Sequence, residues 1–161
     1  MIVNTVKGNA ISLFLNGEYD MFAHGCNIFN RMGSGIAKEV RERLPELWEL
    51  DQKTAEGDRS KLGTISATGC YPNAGLAFNF YTQATYWDPS DMLSYDAVRS
   101  CFETLNTMCQ ETVDFGLGKP TMCIPMIGAG LARGDWDKIS AIINEVTPNI
   151  DITVVEFDGS R

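Results

Sequence analysis

His24-Gly25-Cys26-Asn27-Ile28-Phe29-Asn30-Arg31-Met32-Gly33-Ser34-Gly35-Ile36-Ala37 joins two different local patterns. Residues 19–23 run into it as a short, mostly apolar strand. Ile36, Val40, Leu44, Leu47 and Trp48 leave it at three- and four-residue steps, the period of an amphipathic helix. Between the two lie the chain's one histidine, His24, and three glycines. A strand that ends in a glycine loop and opens onto a helix start leaves backbone N–H groups free, and the helix dipole adds positive potential there. The stretch therefore reads as an anion site suited to a phosphate-bearing ligand, although Gly33-Ser34-Gly35 alone would also serve a tight turn.

Outward from this loop the chain alternates between strands and helices. Residues 2–6 are a β-branched strand ended by Lys7-Gly8-Asn9, and residues 10–15 fit either a strand or a helical turn. Pro45 either kinks the helix that follows the loop or begins a second one, and residues 51–61 read as a polar surface loop. Residues 63–70 and 76–81 are strands joined by Tyr71-Pro72-Asn73-Ala74-Gly75, turn chemistry that suits a hairpin. Tyr95, Val98, Phe102, Leu105 and Cys109 line one face of a helix spanning about residues 92–113. A short strand at 122–124 leads into a second glycine loop, residues 127–134. Asp135 then precedes a helix with Trp136, Ile139, Ile143 and Val146 on its apolar face, and residues 151–157 form the last strand. This order predicts one domain over residues 1–161, an α/β fold with helices on both faces of a mixed sheet. Ligands of such sheets sit outside the strands' carboxyl ends, which gathers Gly8-Asn9-Ala10, residues 24–37 and residues 127–134.

A net charge of −8, with no Lys/Arg cluster, argues against a nucleic-acid backbone as partner. It also means that backbone donors must hold any phosphate. No apolar run is long enough for a membrane helix, and the start of the chain does not resemble a signal peptide. Five cysteines without a C-x-x-C pair read as reduced thiols, which implies a cytoplasmic protein.

Several familiar chemistries fail on spacing. Lys38 occupies the third glycine position of a dinucleotide fingerprint, and Gly118-Lys119-Pro120 is not a P-loop. Four residues separate Cys26 from Arg31, where a cysteine phosphatase has five, so Cys26 reads as a packing residue. No His/Asp/Glu cluster has metal-ligand spacing, and no cofactor is implied. His24 is either a functional group or a strand-end residue that satisfies backbone. Asp135 reads as an N-cap before a catalytic acid. Asn9 is a turn former or a base-reading amide, and Tyr86 and Trp87 are a stacking lip or loop packing.

Taken together, the three loops resemble those of the macro domain, the ADP-ribose-binding α/β/α family. Residues 6–10 resemble its K-G-D-I segment, residues 24–37 its asparagine loop and G-x-G-I-A helix start, and residues 124–131 its second phosphate loop. Gly134-Asp135-Trp136 continues the match, so the resemblance spans the chain. Within the family it looks like the small lidless phage and bacterial members, the yeast ADP-ribose 1''-phosphate phosphatase and the terminal ADP-ribose glycohydrolase group.

That resemblance implies a three-layer α/β/α fold with a mixed central sheet, and a ligand that is ADP-ribose or ADP-ribose 1''-phosphate. It places Gly8, Asn9 and Ala10 at the adenine. Gly25, Gly33, Ser34, Gly35, Ile36 and Ala37, with Ile127, Gly128, Ala129, Gly130, Leu131 and Ala132, would hold the diphosphate and distal ribose. Asn27 would face that ribose, and His24 would act on the 1''-phosphate, which implies a phosphatase. A non-catalytic ADP-ribose reader and a hydrolase of glutamate or acetyl esters share the same residues. Two departures set the chain apart from the glycohydrolases, which carry an aspartate where this chain has Ala132. They also use a lysine in the loop where this chain reads Tyr81-Thr82-Gln83-Ala84-Thr85.

Overall fold

The computed structural model describes residues 1–69 and 71–161; Cys70, read above as a free thiol at a strand end, lies outside them. The first strand, β1 (Ile2–Gly8), passes through the N-cap Asn9 into a one-and-a-half-turn helix, α1 (Ala10–Leu15). Asn9 Oδ1 accepts the Ser12 N–H at 2.9 Å, which settles residues 10–15 as helix. β2 (Met21–Asn27) follows and delivers the opening loop. The strand runs four residues further than its apolar pattern shows, because His24 and Asn27 are buried in it along with their apolar neighbours. Helix α2 (Gly35–Arg43) ends at Leu44, and Pro45 starts a separate helix, α3 (Pro45–Gln52).

β3 (Ile65–Thr68) and β4 (Leu76–Gln83) form the expected antiparallel hairpin. α4 (Tyr95–Asp114) is capped by Ser94, whose hydroxyl accepts the Ala97 N–H. β5 (Thr121–Ile124), α5 (Trp136–Val146) and β6 (Asp151–Phe157) complete the chain. The sheet order is β1-β6-β5-β2-β4-β3, and every pairing but β3 with β4 is parallel. The mixed α/β/α expectation holds.

Alternation along β2 divides the core. Met21 and Ala23 face α4 and α5 with Phe78, Phe80 and Phe102, whereas Phe22 and Cys26 face α1, α2 and α3 with Phe14, Val40 and Leu47. Helices as short as α1 and α3 are not stable alone, and roughly 1.5–3 kcal/mol for each large apolar side chain buried against the sheet holds them. No helix among the described residues is long and apolar enough to cross a membrane.

Residues 51–61 are not the plain surface loop that their polarity suggests. Asp51 and Lys61 are both buried, and Asp51 accepts the Tyr81 hydroxyl at 2.6 Å. Lys61 Nζ donates to Ile28 O (2.8 Å), Asn30 Oδ1 (2.5 Å) and Ala55 O (3.0 Å), and lies 5.1 Å from the centre of the Tyr81 ring. Burial pulls the ammonium below its ordinary range, although the nearby Asp51 carboxylate opposes that shift. The segment is therefore an internal strut under the loop that follows β2.

Candidate functional site

The loops after β2 and β5 converge at the carboxyl ends of the parallel strands and enclose a cleft of about 990 Å³. On one wall, Ser34 is the N-cap of α2 but its side chain makes no capping bond, so the first-turn amides point at the cleft uncapped. The opposite wall is residues 125–133. Gly128 sits at φ +79°, and Gly134 N–H donates to its carbonyl at 2.6 Å, which closes the loop on itself. A Cβ on Gly134 would lie 2.6 Å from that oxygen and 2.3 Å from Leu93, so only glycine fits. Leu131 spans the gap, its Cδ1 3.4 Å from where a Cβ on Gly35 would stand.

Twelve of the residues singled out from sequence line this cleft: Gly25, Asn27, Gly33, Ser34, Gly35, Ile36, Ala37, Ile127, Gly128, Gly130, Leu131 and Ala132. Asn27 organises its own loop. Its Oδ1 accepts Phe29 N–H at 2.9 Å and its Nδ2 donates to Arg31 O at 2.9 Å, leaving one N–H for a ligand. Tyr86 and Trp87 form an exposed lip, with rings at 4.9 Å, and Trp87 meets Phe29 edge-on at 4.8 Å. Of the two departures noted above, Ala132 lines the cleft, and so does Gln83 from the segment of residues 81–85 that lacks a lysine.

Five of the sequence-predicted residues do not line it. Ala129 packs against the core cluster that contains side chains of α4 and α5. Gly8, Asn9 and Ala10 stay outside because the Asn9 amide is fully engaged. Its Nδ2 donates to both Glu39 carboxylate oxygens and to Ser160 O, and its Oδ1 accepts Arg43 Nη1 as well as Ser12 N.

His24 is the larger correction. Its ring is 0% exposed, on the α1–α3 side of the sheet, stacked on Phe22 with ring centres 6.1 Å apart. Asn79 spends its Nδ2 on Leu47 O and Ser66 Oγ, so its Oδ1 is what meets His24 Nε2 at 2.7 Å. That assigns the proton to Nε2, and Nδ1 has no partner among the described residues. Burial pushes the imidazole down to about 4, with the Asn79 bond opposing it. A neutral ring with no solvent contact cannot touch a substrate, so His24 is a structural group. Burial likewise raises the Cys26 thiol well above its ordinary range, and no thiolate nucleophile forms there.

A measurable pH dependence follows from His24. The unfolded chain takes up this proton near pH 6.5 and the folded chain only near 4, so stability is complete above pH 6.5 and declines as pH falls. The group contributes a loss of about 3 kcal/mol by pH 4. Denaturant melts of wild type and His24→Gln across pH 7 to 4 should show the steeper decline in wild type; parallel curves would refute the assignment.

The cleft's chemistry is one-sided. Arg31, Arg41 and Arg133 line it, and among the described residues no Asp, Glu, His or Lys does. Pattern reading missed Arg41, Trp48 and Gln52 as cleft residues, and it placed Arg31 and Arg133 in the two site loops without singling them out. Their signal was faint: arginines scattered through an acidic chain, and a tryptophan on a helix face that reads as core. No group of three or more potential metal ligands occurs among the described residues.

No family model matches the chain. An uncharacterised 17.5 kDa protein from the tk–vs intergenic region of Enterobacteria phage T4 is 35% identical over 161 residues, covering 98% of each chain. ADP-ribose glycohydrolase OARD1 of Bos taurus is 27% identical over 156 residues, covering 96% of this chain and 90% of its own. Among solved structures, the macrodomain of Thermus aquaticus DarG superposes with a TM-score of 0.73 at 21% identity, covering 96% of this chain and 97% of its own.

Proposed function

Because this chain belongs to the macro domain family, we propose that its cleft binds ADP-ribose and that it is a hydrolase acting at the distal ribose, with ADP-ribose 1''-phosphate as substrate. One observation carries the reading: in a chain of net charge −8, the described residues that line the cleft between two glycine loops include three arginines and no carboxylate. Such a site excludes the charge that would repel a nucleotide and keeps backbone donors for the diphosphate. Four buried, unpaired cysteines suit the reducing cytoplasm.

Hydrolysis would add water across the bond between phosphorus and the anomeric oxygen. The water oxygen bonds phosphorus, one of its protons passes to a phosphate oxygen and from there to the anomeric oxygen, which leaves as a hydroxyl as its bond to phosphorus breaks. The products are ADP-ribose and inorganic phosphate. The cleft offers no side chain that titrates near neutrality, so the substrate's own phosphate must take the proton from water, and turnover is slow. Asn27 and the loop amides would orient the ribose and its charge. The same lack of an acid or base favours a second reading, a non-catalytic ADP-ribose reader.

Phosphate release from ADP-ribose 1''-phosphate, run beside calorimetry with ADP-ribose, separates the two. Turnover that falls at least tenfold in Asn27→Ala is the expected result. Binding without turnover would leave the reader, and binding of neither ligand would end both readings.

A further inference from the structure

The seven arginines of this chain divide into two groups. Five are paired with carboxylates: Arg31 with Glu56, Arg43 with Glu39, Arg59 with Asp91, Arg99 with Glu145 and Arg161 with Glu42. Arg41 and Arg133 have no carboxylate partner among the described residues, and both line the cleft. With 21 acidic side chains against 13 basic ones, carboxylates are plentiful, yet none reaches either guanidinium.

Arg41 is held through its side chain and Arg133 through its backbone. The Arg41 guanidinium lies 5.0 Å from the centre of the Trp48 ring, which orients the cation without neutralising it. Arg133 occupies the left-handed region at φ 61°, a conformation that costs an ordinary residue about 1–2 kcal/mol. Its N–H donates to Gly130 O at 3.0 Å, so the closed glycine loop imposes that geometry. An unpaired cation on a strained backbone at the rim of a cleft is poor for stability, and it suits an anion that arrives from outside.

We infer that Arg41 and Arg133 form a second anion subsite, distinct from the glycine-loop amides, which takes a phosphate monoester carried on the ligand beyond its diphosphate. The inference rests on the ADP-ribose reading and sharpens it: the amides suffice for the diphosphate, and two cations match one further phosphate dianion. The cleft then selects for the phosphorylated nucleotide over ADP-ribose itself, and releases the dephosphorylated product more readily than it holds the substrate.

The test compares dissociation constants for ADP-ribose and ADP-ribose 1''-phosphate by calorimetry, with free phosphate monitored so that the bound ligand is known to be intact. ADP-ribose phosphorylated on the adenosine ribose is the control for charge alone. Wild type should prefer the 1''-phosphate at least fivefold over both other ligands. The double variant Arg41→Gln/Arg133→Asn should cut that preference by more than half; asparagine is chosen because it tolerates the left-handed backbone. Melting temperatures of both proteins confirm that the fold is retained. A wild-type preference below fivefold, or one that survives in the double variant, overturns the subsite while ADP-ribose binding stands. Failure of wild type to bind any of the three ligands overturns the ADP-ribose reading with it.

Discussion

Gly130→Glu is expected to lower ADP-ribose affinity at least a hundredfold while leaving the melting temperature within about 2 °C. Gly130 lines the cleft outside the left-handed region, and a Cβ there would meet nothing within 4 Å. The fold has no reason to resist a side chain at this point, and whatever is added projects into the space a ligand would fill. A carboxylate introduces bulk and a charge of the wrong sign beside the phosphates, in a cleft whose described lining carries no other acid. A hundredfold loss corresponds to about 2.7 kcal/mol, well within the cost of one uncompensated like-charge contact. Calorimetry with ADP-ribose, set against thermal melts of the same preparations, provides the measurement. Gly130→Ala, which adds only a methyl group, should lose less than tenfold. Near-wild-type affinity in Gly130→Glu would mean that the nucleotide binds elsewhere on the protein.

Lys61→Met is expected to cost about 3 kcal/mol of folding stability and to weaken ligand binding without touching the ligand. The ammonium group joins Ile28 O, Asn30 Oδ1 and Ala55 O. Methionine keeps most of the volume but leaves those acceptors facing an apolar atom, and it removes the cation beside the buried Asp51. Asn30 stands at φ 59°, an unusual conformation that its bonds to Lys61 and Thr54 hold in place. Once released, the segment between β2 and α2 keeps only the Asn27 and Gln52 bonds to fix its path, and Arg31, Met32 and Gly33 shift at the cleft. Denaturant melts read the stability, and ADP-ribose titration at a temperature where the variant is folded reads the second effect. Unchanged affinity in a folded Lys61→Met would show that the strut serves the core alone.

The parts of this molecule that were legible in the sequence are those that local chemistry determines. Asp135 caps α5 through its Oδ1 and the Asp137 N–H at 3.0 Å, as its position before an amphipathic helix indicates. Likewise, Tyr71-Pro72-Asn73-Ala74-Gly75 joins two strands that do pair antiparallel. The two glycine loops were readable because positions such as Gly35, Gly128 and Gly134 need glycine for their backbone angle or their close packing. What stayed hidden depends on distant partners. His24 looks functional as a lone histidine beside a glycine, and only the side chains of Phe22, Asn79 and Cys26 around it reveal a neutral buried ring. Asn9 looks available until residues 30 and 151 positions away, Glu39 and Ser160, take its amide hydrogens. Lys61 looks like a surface charge because nothing near it in sequence announces the carbonyls that enclose it.

The pairing of β1 with β6 has a consequence for how the chain is made. β1 lies at the edge of the sheet, and β6 is its one strand partner, paired from Ile2 against Ile152 to Gly8 against Phe157 with a register shift between Ile2 and Asn4. During synthesis the pairings of β2 with β4, β2 with β5 and β3 with β4 can form before β6 is made, and the hairpin of β3 and β4 is the most local of them. β1 is thus made early and placed late, since its partner strand begins only at Asp151. Through that interval Asn9 lacks Ser160, and α1 has a capped start but no anchored strand before it. Until β6 is added the sheet holds four strands, β5-β2-β4-β3, beside a loose β1, and β6 closes it by pairing with β5 and β1 together.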